Sequence, residues 1–274
     1  MKKLYEEASV QAIADAIRAK AGTADTYKIA EMPDAIANLP SGGGATEPYI
    51  EEVYDSAGNL VEAKMYGRTK IRDYEFYYCK QLISISLPDG IASIGNRAFM
   101  ICQNLSLTSL PGGVTSIGEY AFERCTNLAL ITLPDGLTSI GAHAFSECTN
   151  ISLTSLPNGL KSIGISAFYS CTNIALTDLP NGLTRLDSGV FNSCPKIAIT
   201  RLPSGISRIE NGAFAKCTGL TSITFEGTPK SINSSAFNGC TNLTTINVPW
   251  AEGAVANAPW GATNATINYN YTEG

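Results

Sequence analysis

The sequence contains little of what catalytic and nucleic-acid-binding proteins usually depend on. Its 274 residues include one histidine, and the 19 lysines and arginines are spread along a chain of net charge -5 rather than clustered. Because phosphate backbones are bound by clusters of positive charge, the sequence predicts no nucleic-acid partner. No apolar run approaches the length needed to cross a bilayer, so membrane insertion is not predicted either.

The single histidine also limits the catalytic chemistry that the chain can support. His143 lies two residues before a phenylalanine, where other repeats carry Arg97 or Tyr120, and this favours a solvated surface residue over a general base. Asp89 and Asp135 fall in predicted turns and form no recurring pair of the kind that glycoside hydrolysis needs. Neither a glycine-rich phosphate loop nor paired CxxC ligands for zinc occur. We therefore predict no catalytic, cofactor-binding or metal-binding residues.

The amino terminus gives an expectation about localisation. Glu6 and Glu7 stand where a secretory signal peptide needs its apolar stretch. We therefore expect the chain to be made in the cytoplasm, without an obvious route through general secretion.

What the sequence does have is a repeat of 23 residues. All eight cysteines keep this spacing, at Cys79, Cys102, Cys125, Cys148, Cys171, Cys194, Cys217 and Cys240. Eight phenylalanines keep it three residues earlier, at Phe76, Phe99, Phe122, Phe145, Phe168, Phe191, Phe214 and Phe237. A period in the twenties predicts a solenoid of stacked coils, here about eight, with both side chains in a continuous core. Cysteines at equivalent core positions point the same way, which favours free buried thiols over disulfides.

Each coil is predicted to contain the same four segments. A β-strand follows the cysteine and ends in a Pro-x-Gly turn such as Pro88–Gly90, because proline cannot donate to a strand ladder. A second extended segment follows, around Ile94. The spacing of Ala98, Phe99 and Cys102 then indicates a short helical turn that faces inward.

The chain divides into five predicted units. Residues 1–40 contain helical patterns and form a small helical N-terminal module, and residues 41–47 are a glycine-rich linker. Residues 48–70 are a predicted hairpin that caps the first coil, since solenoids need covered ends. The solenoid covers 71–248, and residues 249–274 form a C-terminal cap.

The repeat resembles the BspA-like leucine-rich repeat. The pattern L-x-x-I-x-L-P-x-G-L-x-x-I-G-x-x-A-F-x-x-C is plainest at Leu128–Cys148, with Ile131 at its first isoleucine. The resemblance implies a leucine-rich repeat fold and a place among bacterial surface and adhesion proteins or phage proteins. Departures occur late in the chain, where Asp187, Glu210 and Asn233 replace a glycine.

Both ends carry a second resemblance. Residues 13–18 and 31–36 are similar to an N-terminal module of tail proteins from phages of Gram-positive bacteria. Residues 248–250 and 258–267 look like the end of related tail-associated repeat proteins. This resemblance implies a virion component in which residues 1–40 bind other tail proteins and the solenoid projects outward.

A ligand face is predicted on the strand after each cysteine. The seventh residue after the cysteine, together called the polar stripe, is Ser86, Ser109, Thr132, Ser155, Asp178, Arg201 and Thr224, followed by Asn247. These small polar groups suit a host cell-surface polysaccharide or protein. The side of the helical turns carries larger residues, including Arg97, Met100, Tyr120 and Tyr169, and stays open as the alternative contact side.

The sequence therefore predicts a non-catalytic binding protein. The favoured interpretation is a receptor-binding or host-attachment component of a phage tail, made in the host cytoplasm and located in the virion. The alternative is an adhesin of the BspA-like type on a bacterial cell surface. A purely structural virion protein is a further alternative, and a homo-oligomer is compatible with the sequence.

Overall fold

The computed structural model describes residues 48–272, which form a solenoid of stacked 23-residue coils. The predicted helical module 1–40 and the linker 41–47 lie outside the described residues. We number the coils one to eight by the cysteine that each contains, from Cys79 to Cys240.

A hairpin covers the first coil. Strands β1 (Tyr49–Tyr54) and β2 (Leu60–Tyr66) pair in antiparallel fashion, and β2 also pairs in parallel with β4 (Ser84–Ser86) of coil one. In the turn, Asp55 Oδ1 accepts the N–H groups of Ala57 and Asn59, both at 2.9 Å. The hairpin therefore continues the sheet of coil one and takes up its open edge.

Short parallel strands form one side of the solenoid, one strand in each coil, and are called here the isoleucine ladder. They are β3 (Lys70–Ile71), β5 (Ser93–Ile94), β6 (Ser116–Ile117), β7 (Ser139–Ile140), β8 (Ser162–Ile163), β9 (Arg185–Leu186), β11 (Arg208–Ile209) and β13 (Ser231–Ile232). This ladder confirms the second extended segment that the sequence predicts. It is interrupted once, between β8 and β9.

The interruption coincides with the loss of a glycine. After β7, a Cβ added to Gly141 would lie 2.6 Å from the backbone nitrogen of Glu119, so neighbouring coils approach more closely than a side chain allows. Glycine occupies this position from Gly95 to Gly164, and Asp187, which follows β9, is the first residue after them to carry a Cβ. The ladder breaks at that coil and resumes among β9, β11 and β13.

Strands after the cysteine form only in some coils. Besides β4 they are β10 (Arg201–Leu202), β12 (Ser222–Phe225) and β14 (Thr245–Asn247), and these three pair in parallel with β15 (Thr266–Asn268) near the C-terminus. Coils two to five have no strand in this segment of the described chain. The prediction of a strand after every cysteine is therefore wrong for these coils.

The reason lies in which residues of the segment face the core. In coils one, seven and eight the sixth residue after the cysteine is a buried isoleucine, at Ile85, Ile223 and Ile246. In coils two to six the fifth residue faces inward instead, at Leu107, Leu130, Leu153, Leu176 and Ile199. Inward residues at positions six and eight alternate as a strand requires. Inward residues at five and eight leave two consecutive residues outside, which breaks the alternation, and coil six keeps only the two-residue strand β10 at the end of this segment.

The predicted helical turn before the cysteine is also wrong. Arg97 and Ile101, two residues before and after Phe99, have positive φ angles of 54° and 65°, which an α-helix does not contain. The same two positions have positive φ around most other phenylalanines. Because of this alternation, the N–H groups of Arg97, Phe99 and Ile101 point along the solenoid and donate to carbonyls of the next coil at 2.7–2.8 Å. The inward side chains keep their predicted positions, but the backbone hydrogen bonds run mainly between coils.

A column of phenylalanine rings occupies the centre of the core. The eight rings from Phe76 to Phe237 are buried and stack nearly parallel, with neighbouring centroids 5.1–5.7 Å apart. Beyond the last ring, Trp250 and Trp260 pack around Phe225, and the N–H of Phe237 donates to the Trp260 carbonyl at 2.9 Å. The tryptophans thus cover the end of the core as a C-terminal cap.

The cysteines form a second column beside the rings. All eight are free thiols, and those from Cys102 to Cys240 are buried, which confirms that prediction; Cys79 is half-buried. Each buried thiol donates to the phenylalanine carbonyl of the preceding coil, as Cys125 Sγ does to Phe99 at 2.9 Å. Burial raises the pKa of Cys171 well above its usual range and that of Cys79 to about 11. These thiols therefore stay protonated at neutral pH.

We expect Phe145→Ala to lower the free energy of unfolding by about 3–5 kcal/mol, because the rigid neighbours cannot fill the space that the ring leaves. Phe237→Ala should cost less, since Phe237 stacks on one phenylalanine rather than two. Urea titrations of both variants measure the difference. An equal loss at the two sites would contradict a continuous stacked column.

We expect one thiol of the native protein to react with a thiol reagent well before the others. That thiol is Cys79, which is half-buried and has no phenylalanine carbonyl from a preceding coil. The other seven should react quickly only after denaturation. Counting modified cysteines by mass spectrometry over time tests this, and rapid modification of Cys148 in the native state would show that the thiol column is open.

Candidate functional site

The polar stripe lies on the surface, as the sequence predicts. Its members in coils one to six are exposed, while Thr224 in coil seven is half-buried. At the C-terminal end the stripe is hydrogen-bonded internally, because Asn247 Nδ2 donates to Thr224 Oγ1 at 3.1 Å and Asn268 Nδ2 donates to Asn247 Oδ1 at 2.8 Å. The accessible part of the stripe is therefore the part from Ser86 to Arg201.

This surface is wider than the sequence analysis indicated. In coils two to six the residue before each stripe position is exposed as well, at Thr108, Ile131, Thr154, Thr177 and Thr200. The family pattern places Ile131 in the core, but its side chain is 60% exposed and Leu130 is buried instead. The sequence did contain a sign of this shift, because only coils two to six have an aliphatic residue five positions after the cysteine.

The charged members of the stripe have partners within the chain. Arg201 Nη1 lies 3.3 Å from Glu226 Oε1 of the next coil, and both side chains are largely exposed. Asp178 Oδ1 accepts the N–H of Leu179 at 2.8 Å. Exposed ion pairs of this kind contribute little to stability, about 0–1 kcal/mol. Asp178 and Arg201 can therefore be replaced without disturbing the core.

Asparagines two residues after the cysteine stabilise the entry to this surface. Asn173 and Asn242 donate to backbone carbonyls of the preceding coil at 2.8 Å, and Asn150 does so at 3.5 Å. Asn104 instead donates to the side chain of Gln81. These amides therefore satisfy neighbouring polar groups and do not form a free ligand ladder.

The opposite candidate surface consists of the residues that flank each phenylalanine, and we call it the turn face. In its first part, planar groups stack from coil to coil. Arg97 donates to the Tyr74 hydroxyl at 2.8 Å and lies 4.6 Å from the centre of the Tyr120 ring, which stacks on His143 with 4.8 Å between centroids. His143 is thus half-buried in a stack of planar groups, whereas the sequence analysis placed it in solvent.

Beside this stack lies a small group of charges. Arg124 Nε and Nη2 donate to the two carboxylate oxygens of Glu147, each at 3.1 Å, and this pairing raises the pKa of Arg124. Burial raises the pKa of Glu123, although the positive charges of Arg124 and His143 act in the opposite direction. Oε2 of Glu123 is buried and has no hydrogen-bond partner within residues 48–272.

The second part of the turn face is a groove. Two residues before the phenylalanine, the large side chains of the first part give way to Ser166, Gly189, Gly212 and Ser235. The resulting open groove has a volume of ≈ 420 Å³ and crosses several coils, with Tyr169, Asn192, Lys216 and Asn238 on its walls. It is polar, and Lys216 is the only charged residue that lines it.

Residues 48–272 contain neither a candidate metal site nor a candidate membrane span. No group of three or more histidine, cysteine, aspartate or glutamate side chains is placed so that it could hold a metal ion. No helix long and apolar enough to cross a membrane is present in this part of the chain.

Comparison with known proteins identifies the repeat. The BspA type leucine rich repeat region matches residues 69–198 and 152–254 in six copies, which together are well over half of the chain. The chain belongs to this family. The fold of stacked coils is therefore the BspA-type leucine-rich repeat, with the phenylalanine and thiol columns as its core. No curated protein matches the chain.

Several solved structures are similar to this chain. A leucine-rich repeat protein from Bacteroides ovatus is 20% identical, with a TM-score of 0.54, over 80% of this chain and 74% of that one. The T. pallidum leucine-rich repeat protein is 25% identical with a TM-score of 0.48, over 71% of this chain and 87% of that one. The pneumococcal vaccine antigen PcpA is 19% identical with a TM-score of 0.47, over 73% of this chain and 57% of that one. The first of these likenesses supports the fold of the BspA-type chain and nothing about its ligand.

Proposed function

We propose that this BspA-type protein is a non-catalytic binding protein that attaches to a bacterial cell surface through the outside of its solenoid. One observation carries the proposal. The core positions repeat almost unchanged from coil to coil, while the polar stripe from Ser86 to Arg201 stays exposed along the whole row. A long row of exposed hydroxyl and charged groups on a packed scaffold suits contact with an extended polymer or another protein surface.

The geometry around the only histidine favours binding over catalysis. The His143 ring stacks on Tyr120, and no hydroxyl or thiol within residues 48–272 is hydrogen-bonded to it. A general base that activates a nucleophile needs such a contact, either directly or once a substrate is bound. Burial raises the pKa of thiols such as Cys171, and the pKa of the half-buried Cys79 is raised to about 11, so these thiols are unsuited to act as nucleophiles at neutral pH.

The finer proposal is a host-attachment component of a phage tail, located in the virion. It is supported by the similarity of residues 13–18, 31–36 and 258–267 to phage tail proteins. In this arrangement residues 1–40 bind other tail proteins and the solenoid contacts a polysaccharide or protein of the host surface. Family membership favours a second candidate, an adhesin of the BspA type on a bacterial cell surface.

Fractionation separates these two candidates. We expect an antibody against the solenoid to label purified phage particles, and deletion of residues 1–40 to remove the protein from them. Recovery of the protein in the cell envelope, with none on particles, would reject the tail role in favour of the adhesin.

The attachment surface is tested with two matched double variants. Replacing Asp178 and Arg201 by alanine should leave the melting temperature nearly unchanged, since both are exposed, but should weaken binding of the purified protein to intact host cells. The control replaces Arg124 and Glu147, one arginine and one acidic residue that form an ion pair on the turn face. Binding is measured before and after surface polysaccharide is stripped. Loss of binding in the control alone would contradict a contact through the polar stripe.

A further inference from the structure

The side chains that line the groove on the turn face indicate which class of ligand it binds. Tyr169 stands on one wall of this groove with 38% of its surface exposed, and it is the one aromatic residue of the lining. Asn192, Asn211 and Asn238 line the same groove, together with the hydroxyls of Ser166 and Ser235. An aromatic ring combined with planar amides and hydroxyls provides one apolar surface and many hydrogen-bonding groups in a single site.

Most of these polar side chains make no hydrogen bond within the described part of the protein. The side chains of Asn211, Asn238 and Lys216 make no hydrogen bond or ion pair with any described residue. Asn192 accepts the hydroxyl of Ser193 through Oδ1 at 2.8 Å, but its Nδ2 donates to nothing in residues 48–272. At another position of the repeat, two residues after the cysteine, amides such as Asn173 and Asn242 do donate to the neighbouring coil. The groove therefore holds amide donors that a ligand can use.

The charge of the groove narrows the ligand further. In a chain of net charge -5, the groove is lined by one lysine and no carboxylate. The asparagine amides and the lysine can bind hydroxyl groups and carboxylates of a ligand. A basic ligand would find no negative charge in the groove. The groove crosses several coils, so equivalent positions of the repeat recur along it at the spacing of neighbouring strands, about 5 Å, which is comparable to the length of one sugar unit in a chain.

We propose that this groove binds an oligosaccharide of a few pyranose units, with one sugar stacked on Tyr169 and the asparagine amides bonded to its hydroxyls. The inference rests on the proposed function and adds a second contact, separate from the polar stripe. A bound sugar chain lies along the solenoid, and the Lys216 ammonium group donates to one of its hydroxyls or to an acidic substituent. A peptide fits less well, because the groove offers neither an unpaired strand edge nor a deep apolar pocket.

The repeat itself provides a variant that closes the groove. Ser166 occupies the same position of the repeat as His143 one coil earlier and Tyr120 two coils earlier. Its φ is 52°, and that of Tyr120 is 57°. Ser166→Tyr therefore introduces a side chain that the fold accepts two coils earlier, and its ring lies across Gly189, whose added Cβ would be 2.9 Å from Ser166 Oγ. Tyr169→Ala removes the stacking surface and leaves the groove open.

The experiment uses the full chain and four soluble tetrasaccharides, of β-1,4-linked glucose, β-1,4-linked N-acetylglucosamine, galactose and galacturonic acid, with binding followed by saturation-transfer NMR and titration calorimetry. We expect at least one to bind, and both Ser166→Tyr and Tyr169→Ala to weaken it about tenfold or more. The double variant of Asp178 and Arg201 should bind as the parent does. All variants are first checked for an unchanged melting temperature.

Two results would overturn the oligosaccharide site. One is that none of the four tetrasaccharides binds, and the other is that folded Ser166→Tyr binds as well as the parent. Cell attachment gives an independent measure of the proposed function. If the parent attaches to cells but no tetrasaccharide binds, or Ser166→Tyr binds the tetrasaccharide as the parent does, the groove inference fails and the attachment function stands. If tetrasaccharide binding is lost in Ser166→Tyr but the parent does not attach to cells, the groove stands and the attachment function fails.

Discussion

The double column of phenylalanine rings and cysteine thiols is the constraint on which the rest of the structure depends. The carbonyl of Phe99, for example, accepts the N–H of Cys102 at 3.0 Å and the thiol of Cys125 at 2.9 Å, while the N–H of Phe99 donates to the next coil. Both backbone polar groups of Phe99 are thus used without water. A side chain in the cysteine position must be small, apolar enough for burial and able to donate one hydrogen bond. The bond from each buried thiol to the preceding coil keeps the register of neighbouring coils constant.

This constraint explains which parts of the fold could be predicted from the sequence. The positions of Phe145, Cys148 and the isoleucine ladder follow from periodicity, because inward side chains must recur when identical coils stack. The helical turn was predicted wrongly because the spacing of Ala98, Phe99 and Cys102 fits two backbones, a helix and an alternation of right- and left-handed residues. Glycines at 189, 212 and 239 were a sign of the second, since they occupy positions where Arg97 and Ile101 have positive φ.

The outside of the solenoid was predictable only in part. The polar stripe could be located because the seventh residue after the cysteine always faces away from the core, but the exposure of Ile131 depends on a one-residue shift that the family pattern hides. The groove was not predicted, because it arises from what is missing at Gly189 and Gly212 and from walls contributed by several coils. Since the columns keep the backbone in place, such exchanges of surface side chains change the shape and chemistry of the exterior without changing the core, which is how one repeat can serve different ligands.

The central claim is that the coils are held together beside the phenylalanine column and not by a continuous sheet after the cysteines. Amide hydrogen exchange of the full chain, resolved by residue, tests it most directly. The N–H groups of Phe99, Phe122, Phe145 and Phe168 each donate to the next coil at 2.7–3.0 Å, whereas those of Thr132 and Ser155 have no backbone acceptor in the described chain. We predict that the four phenylalanine amides exchange only on global unfolding, within about tenfold of one another, while Thr132 and Ser155 exchange rapidly. Rapid exchange at Phe145, or protection at Thr132 equal to that at Phe145, would contradict the account.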